Sequence, residues 1–332
     1  MAIKPKIAFY WAASCGGCEI TITELGMRLV DLGDLVDIVF WPAAMDFKYD
    51  DVSALKDDEI DICFYNGAIR NSENEEIAHL LRKKSKLMVA FGSCSHLGGI
   101  PGLANMFDVE TLLERVFDDI PSLDETHGTR PQTVTHVPEG EILLPKLYDQ
   151  VRSLGDCVEV DYFMPGCPPV VEQVWAVFQT ILAGQLPEKG TVIGANGKTN
   201  CDECPRKKGD SGMRITEFHR PHEVELDPDL CFLTQGIICC GPATRAGCGQ
   251  PCLTANMPCR GCYGPPDGVV DQGSKLISAI AALVDTDDPQ KLKAILDGIA
   301  DPVGLSYRFS LADSILSDLK HGKQGITEKN HA

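Results

Sequence analysis

The chain has 332 residues, 44% of them apolar, enough for one large domain or two modest ones with a real core. Thirty lysines and arginines against 48 aspartates and glutamates give a formal net charge of −18, so a nucleic acid or an anionic membrane would be met against a repulsive field, and both are set aside. The segment MAIKPKIAFYWAAS lacks the layout of a secretory signal, and no apolar run approaches bilayer length, so no membrane span and a cytoplasmic location are expected; fifteen cysteines in that reducing compartment point to metal or redox centres rather than disulfides.

In chain order, short β-rich apolar runs alternate with helical patterns: strands near 5–11, 35–41, 60–66, 86–91 and 158–164, helices near 18–32, 72–84 and 169–183. That alternation predicts a doubly wound α/β fold with a parallel sheet and crossover helices. Asn71 or Ser72 caps the helix at 72–84, with Glu75 and Glu76 in its first turn, and Gly184 closes the helix at 169–183. Residues 119–157 carry turn and polar signals and read as a long excursion between the fourth and fifth strands. The organisation changes near residue 185. Nine of the fifteen cysteines lie between 201 and 262 in a Gly- and Pro-rich stretch, whose low apolar content calls for bonded thiolates to hold it. Helices are expected again at 273–284, 288–299 and 309–320, giving three regions: 1–185, 186–285 and a helical tail, 286–332.

Ligands of an open α/β sheet sit outside the carboxyl ends of its strands. Cys15 and Cys18 follow the first strand in SCGGCE, Cys94 follows the fourth in FGSCSHLGG, and Cys167 follows the fifth in FMPGCPP. All four fall on one sheet edge, amid glycines that permit close backbone approach. Four thiolates at one place meet the requirement of a 4Fe-4S cluster. The Cys15–Cys18 pair alone also fits a thioredoxin-type redox motif, and zinc accepts four thiolates equally well.

In the second half stand Cys201 and Cys204 in CDEC, then Cys231, Cys239, Cys240, Cys248, Cys252, and Cys259 and Cys262 in PCRGC. Two clusters use eight, leaving one over at the adjacent pair Cys239 and Cys240; zinc ribbons are built from similar pairs and stay open for this half. Cys63, inside an apolar strand, and Cys157, beside the fifth strand, read as small buried hydrophobes. His96 lies nearest a candidate ligand, either as a donor to a cluster sulfide or as a solvated loop residue.

The ordered motifs CGGCE, GSCSHLGGIPG, PGCPP, CDECP, GPAT and PCRGCYGP, spread over about residues 5–285, resemble the small, electron-transferring subunit of NiFe hydrogenases. The resemblance is closest to the cytoplasmic methyl-viologen-reducing type that is not coupled to the deazaflavin coenzyme. It implies a flavodoxin-like first domain with a proximal 4Fe-4S cluster on Cys15, Cys18, Cys94 and Cys167. It also implies a medial cluster on Cys248, Cys252, Cys259 and Cys262, and a distal one on Cys201, Cys204, Cys231 and Cys239. Cys239 is taken over Cys240 because the family places its ligand two residues before the Gly-Pro, here Gly241-Pro242.

A cluster held wholly on protein sulfur moves single electrons and binds no substrate, so dihydrogen must be split elsewhere. The chain's Pro258-Cys259-x-x-Cys262 echoes the nickel-site motif only weakly, with Met257 where that motif has Asp. The resemblance implies a large subunit with the NiFe site, an iron–sulfur adaptor of the delta type, and heterodisulfide reductase as acceptor. Three other readings stand beside it: a complex I-like quinone-reductase small subunit, disfavoured by the cysteines at 201–262; the small subunit of a nicotinamide-coupled cytoplasmic hydrogenase; and a zinc-stabilised scaffold.

Overall fold

A computed structural model describes residues 4–122, 130–209 and 212–320. Strands β1 (Lys6–Trp11), β2 (Asp37–Phe40), β3 (Ile60–Asn66), β4 (Ser85–Phe91), β5 (Tyr162–Met164) and β6 (Thr191–Val192) form one sheet in the order β6-β5-β4-β3-β1-β2. Every neighbouring pair runs parallel, as the alternation predicted. The order reverses between β1 and β3, which makes the carboxyl ends there the natural ligand edge. Alternate residues face opposite layers: Ile7, Phe9, Phe64 and Phe91 pack in one core, Ala8, Tyr10, Cys63 and Tyr65 in the other. Cys63 is fully buried in β3, and Cys157 packs half-buried against the same layer.

The helices are α1 (Gly17–Thr23), α2 (Met27–Leu35), α3 (Ser72–Lys84), α4 (Ser93–Leu97) and α5 (Val171–Leu182). The single helix expected at 18–32 is two, because Gly26 turns the chain at φ +60° and Thr23 returns its hydroxyl to the Ile20 carbonyl at 2.7 Å. Asn71 caps α3, its side chain accepting from the Asn74 N–H at 2.8 Å, and the first-turn acids are Glu73 and Glu75. Gly184 ends α5 at φ +67°. The excursion after β4 is partly ordered: Val134–Val137 pairs with Gly140–Leu143, and Leu147–Arg152 pairs antiparallel with Ile69–Asn71. Its residues 123–129 lie outside the described residues. The sequence pattern gave no sign of β6, two residues long and beyond residue 185, too short for any periodicity to show.

Regular structure is sparse across 201–262, yet a core forms there. Ile215, Phe232, Leu233, Ile237 and Leu253 pack against Leu276 and Ile280 of α6 (Gln272–Ala281) and Ile295 of α7 (Pro289–Asp297). The cysteine-rich stretch thus supplies most of this core itself, contrary to the expectation from its composition, and the later helices complete it. The helix expected at 309–320 is interrupted. After α8 (Pro302–Ser306) the chain makes a 3-10 turn at Leu311–Asp313, and Ser314 bonds the Leu311 carbonyl at 2.7 Å before Ile315–Lys320 resumes. This tail threads back to the first domain. Gly99 N–H donates to Phe309 O at 3.1 Å, and Ala312 sits where a side chain at Gly98 would be, 2.3 Å from an ideal Cβ.

Asp161, 2% exposed at the head of β5, ties the layers together. Its carboxylate accepts from Met88 N–H at 2.7 Å, Arg82 at 2.7 Å and Lys189 at 2.6 Å. Burial alone would push this carboxyl up, but Lys189, the Met88 amide and Arg82 outweigh it and hold it below the usual range. A depressed carboxyl stabilises the fold above its unfolded pKa, and that share is lost as pH falls through the folded value. Asp161→Asn is expected to cost about 1–3 kcal/mol, discounted for exposed Lys189, and to flatten the stability-against-pH curve on the acid side; denaturant melts of both proteins across pH check this.

Candidate metal centres

The first set of cysteines converges at the carboxyl edge of the sheet. Cys15 lies exposed in the loop leaving β1, and Cys18 is buried in the first turn of α1. Cys94 is buried in α4, directly after β4, and Cys167 follows β5. Two glycines are required by the approach. A Cβ on Gly92 (φ +84°) would stand 2.4 Å from the Cys18 sulfur, and one on Gly99 (φ +55°) would stand 2.6 Å from that of Cys94. Burial raises the Cys18 thiol, and Cys94, Cys167 and Cys15 raise it further by their proximity. Cys94 is likewise pushed up to about 12, by burial first and then by Cys167 and Cys15. Thiols so placed give up their protons only to a positive charge bound among them.

The second set surrounds a cavity of about 340 Å³, whose wall includes Cys248, Cys252, Cys259 and Cys262 together with Cys167 of the first set. Gln250, in the left-handed region at φ +57°, turns its N–H to the Cys248 sulfur at 3.3 Å and donates its side-chain amide to Asn200 O at 3.0 Å. The third set, Cys201, Cys204, Cys231 and Cys239, lines a smaller void with Phe232, Leu233, Gly241, Asn200 and Arg206. Cys240 is turned away from it, its sulfur 3.8 Å from Leu305 O in the wall of a different cavity.

The sets abut one another. The Ser93 hydroxyl donates to the Cys262 carbonyl, the Cys167 backbone lies close enough to Cys262 to lower its thiol, and Tyr263 donates to Gln173 on α5 at 2.5 Å. Cys259 lies near enough to both Cys201 and Cys239 to raise their thiols. Four cysteines line each of the two cavities, and among the described residues no group of three or more Cys, His, Asp or Glu side chains forms a metal-ion site.

Sequence reasoning missed the residues that join the sets. Ser93 and Cys262 are 169 positions apart, and no local pattern links them. It also missed Glu19, a buried carboxyl next to Cys18 that accepts from Trp41 and Asn66; burial raises it and those two bonds lower it less. His96 is buried rather than solvated, its ring 4.8 Å from that of Phe163 on β5.

The sequence family described as NADH ubiquinone oxidoreductase, 20 Kd subunit, matches residues 15–181, the sheet domain. Relatives match both halves. The iron-sulfur subunit of the F420-non-reducing hydrogenase of Archaeoglobus profundus is 38% identical over 320 residues, 94% of this chain and 98% of the relative. The corresponding F420-non-reducing hydrogenase chain of Methanothermobacter marburgensis is 37% identical over 331 residues, 98% of this chain and all of the relative. The corresponding chain of the vhu F420-non-reducing hydrogenase of Methanocaldococcus jannaschii is 35% identical over 317 residues, 96% of this chain and 98% of the relative. A sheet edge and two cavities ringed by cysteine are thus set in a sequence alignable end to end with those chains, and the protein belongs to the family of F420-non-reducing hydrogenase iron-sulfur subunits, the small, electron-transferring subunits of NiFe hydrogenases.

Proposed function

We propose that this chain conducts electrons from hydrogen oxidation on a partner large subunit, through three 4Fe-4S clusters, toward an iron–sulfur or flavin acceptor such as heterodisulfide reductase, in the cytoplasm and with an adaptor of the delta type. Cys15, Cys18, Cys94 and Cys167 would hold the proximal cluster. Cys248, Cys252, Cys259 and Cys262 would hold the medial one, and Cys201, Cys204, Cys231 and Cys239 the distal one. A 4Fe-4S cluster bound by four thiolates takes up and gives back one electron. The observation that carries this reading is the adjacency of the three sets, with Cys167 in the wall of the second and Cys259 beside the third.

The chain's own residues do the rest. Gly92 and Gly99 leave room for sulfur where any side chain would intrude. The Gln250 amide donates to Cys248, and such a bond to sulfur tunes cluster potential. Pro168, Leu253 and Tyr263 line the second cavity with apolar surface that lowers the local dielectric. The division into 1–185, 186–285 and 286–332 follows the same reading, with the tail as a strap across the first two regions.

Anaerobic metal analysis of the purified complex is expected to give about twelve irons and twelve acid-labile sulfides attributable to this chain, with coupled EPR signals under hydrogen. Zinc in their place would return the second half to a structural role. Cys239→Ser is expected to remove about four irons while Cys240→Ser removes none, and the opposite pattern would reassign the ligand. Gly92→Ala is expected to cost about four irons from the proximal set without loss of far-UV ellipticity; full occupancy in that variant would place the cluster elsewhere.

A further inference from the structure

One further cavity lies outside the three cysteine sets, with only Cys259 of the second set reaching its wall. It encloses about 540 Å³ between the 218–222 segment, the 257–260 segment and the tail at 298–308. Its wall carries Arg220, Arg260 and Arg308 with His219 and His222, against one carboxylate, Asp301. In a chain of net charge −18 this is a local reversal of sign. Among the described residues no carboxylate forms an ion pair with any of the three arginines: Arg308 donates its Nε to Gly304 O at 3.1 Å, and Asp301 is committed to the Gly304 N–H at 2.8 Å as the cap of α8. Arg308 is half-buried and stands near Arg260, so two like charges share a partly dry wall. That arrangement is unfavourable until an anion lies between them.

The rest of the wall is apolar. Ile237 is 1% exposed, and Ile238, Met257 and Leu305 extend that surface. A volume of this size, with a mostly apolar lining and a few convergent cationic groups, is that of a small-molecule site. Guanidinium forks match phosphate oxygens two at a time, which an ammonium cannot do, and an apolar floor suits a flat ring system. We propose that this cavity binds a phosphate-bearing ligand of the mononucleotide class, with the phosphate between Arg260 and Arg308 and the ring body against Ile237, Met257 and Leu305. The site adjoins the second cysteine set, the two cavities having Cys259 and Arg260 in common.

Titration calorimetry of the purified hydrogenase complex with AMP, and separately with inorganic pyrophosphate, tests this. AMP is expected to bind, with its affinity lowered about tenfold or more by Arg260→Gln and by Arg308→Gln, and unchanged by Arg214→Gln, whose partner Asp285 lies outside the cavity. Photolabelling with 8-azido-AMP is expected to mark peptides from 218–222 or 257–260, and to lose that mark in Arg260→Gln. Arg260 is exposed, so that variant carries the test if Arg308→Gln disturbs the fold. No AMP binding, or binding indifferent to both substitutions, overturns the proposal. Pyrophosphate binding as tight as AMP makes the site one for a bare phosphate anion and removes the ring-binding half. If neither probe binds and Arg260→Gln instead releases a partner subunit on gel filtration, the cavity is a protein-docking surface and the proposal falls.

Discussion

A parallel sheet delivers the carboxyl ends of all its strands to one edge, and the rest of this molecule is built on that edge. The loops leaving β1, β4 and β5 carry Cys15, Cys18, Cys94 and Cys167, so the strand order alone brings together residues 152 positions apart. The approach is close enough that Gly92 has no substitute, since any Cβ there would enter the Cys18 sulfur. A buried thiol among other thiols is a poor anion, and this cost is recovered only when positive charge joins the group. The electrostatics of the edge therefore call for bound positive charge, as the residue types do.

The second half hangs on the same edge through a few buried polar contacts. Ser93 to the Cys262 carbonyl and Tyr263 to Gln173 place one cysteine set directly behind another. Each such bond contributes about 0.5–1.5 kcal/mol net, but leaving a partner unmet in that dry seam costs more, so the contacts fix geometry beyond what their sum suggests. Leu97 packs on Gly264 across the same seam. The tail completes the arrangement by returning Phe309 and Ala312 to the Cys94 loop.

Charge is distributed unevenly. Acidic residues outnumber basic ones over the whole chain, while Asp161 is drawn into the sheet by two cations and an amide. Three arginines that form no ion pair with a carboxylate among the described residues line a single cavity under the tail. Cys240 faces that cavity and Cys239 faces the third cysteine set, so two adjacent residues serve different spaces. The family's Gly-Pro spacing had selected Cys239, and the backbone direction gives a physical basis for the same choice.

The sequence by itself determined the layers. Period-two apolar runs, the Asn71 cap and the glycine stops specify strands and helices locally, because they depend on neighbours within a turn or two. The candidate ligands were also legible, since cysteine spacing after strands is a local signal, and the ordered motifs carried the family. Tertiary structure decided what locality cannot reach: the break of the 18–32 helix at Gly26, the two-residue β6, and the packing of Leu276, Ile280 and Ile295 onto a core that the cysteine-rich stretch itself supplies in larger part. It also decided which sulfur faces which cavity and which arginines meet across the tail. Those outcomes arise from contacts between segments far apart in the chain, where burial and charge are properties of the assembled volume and leave no periodic trace in the sequence.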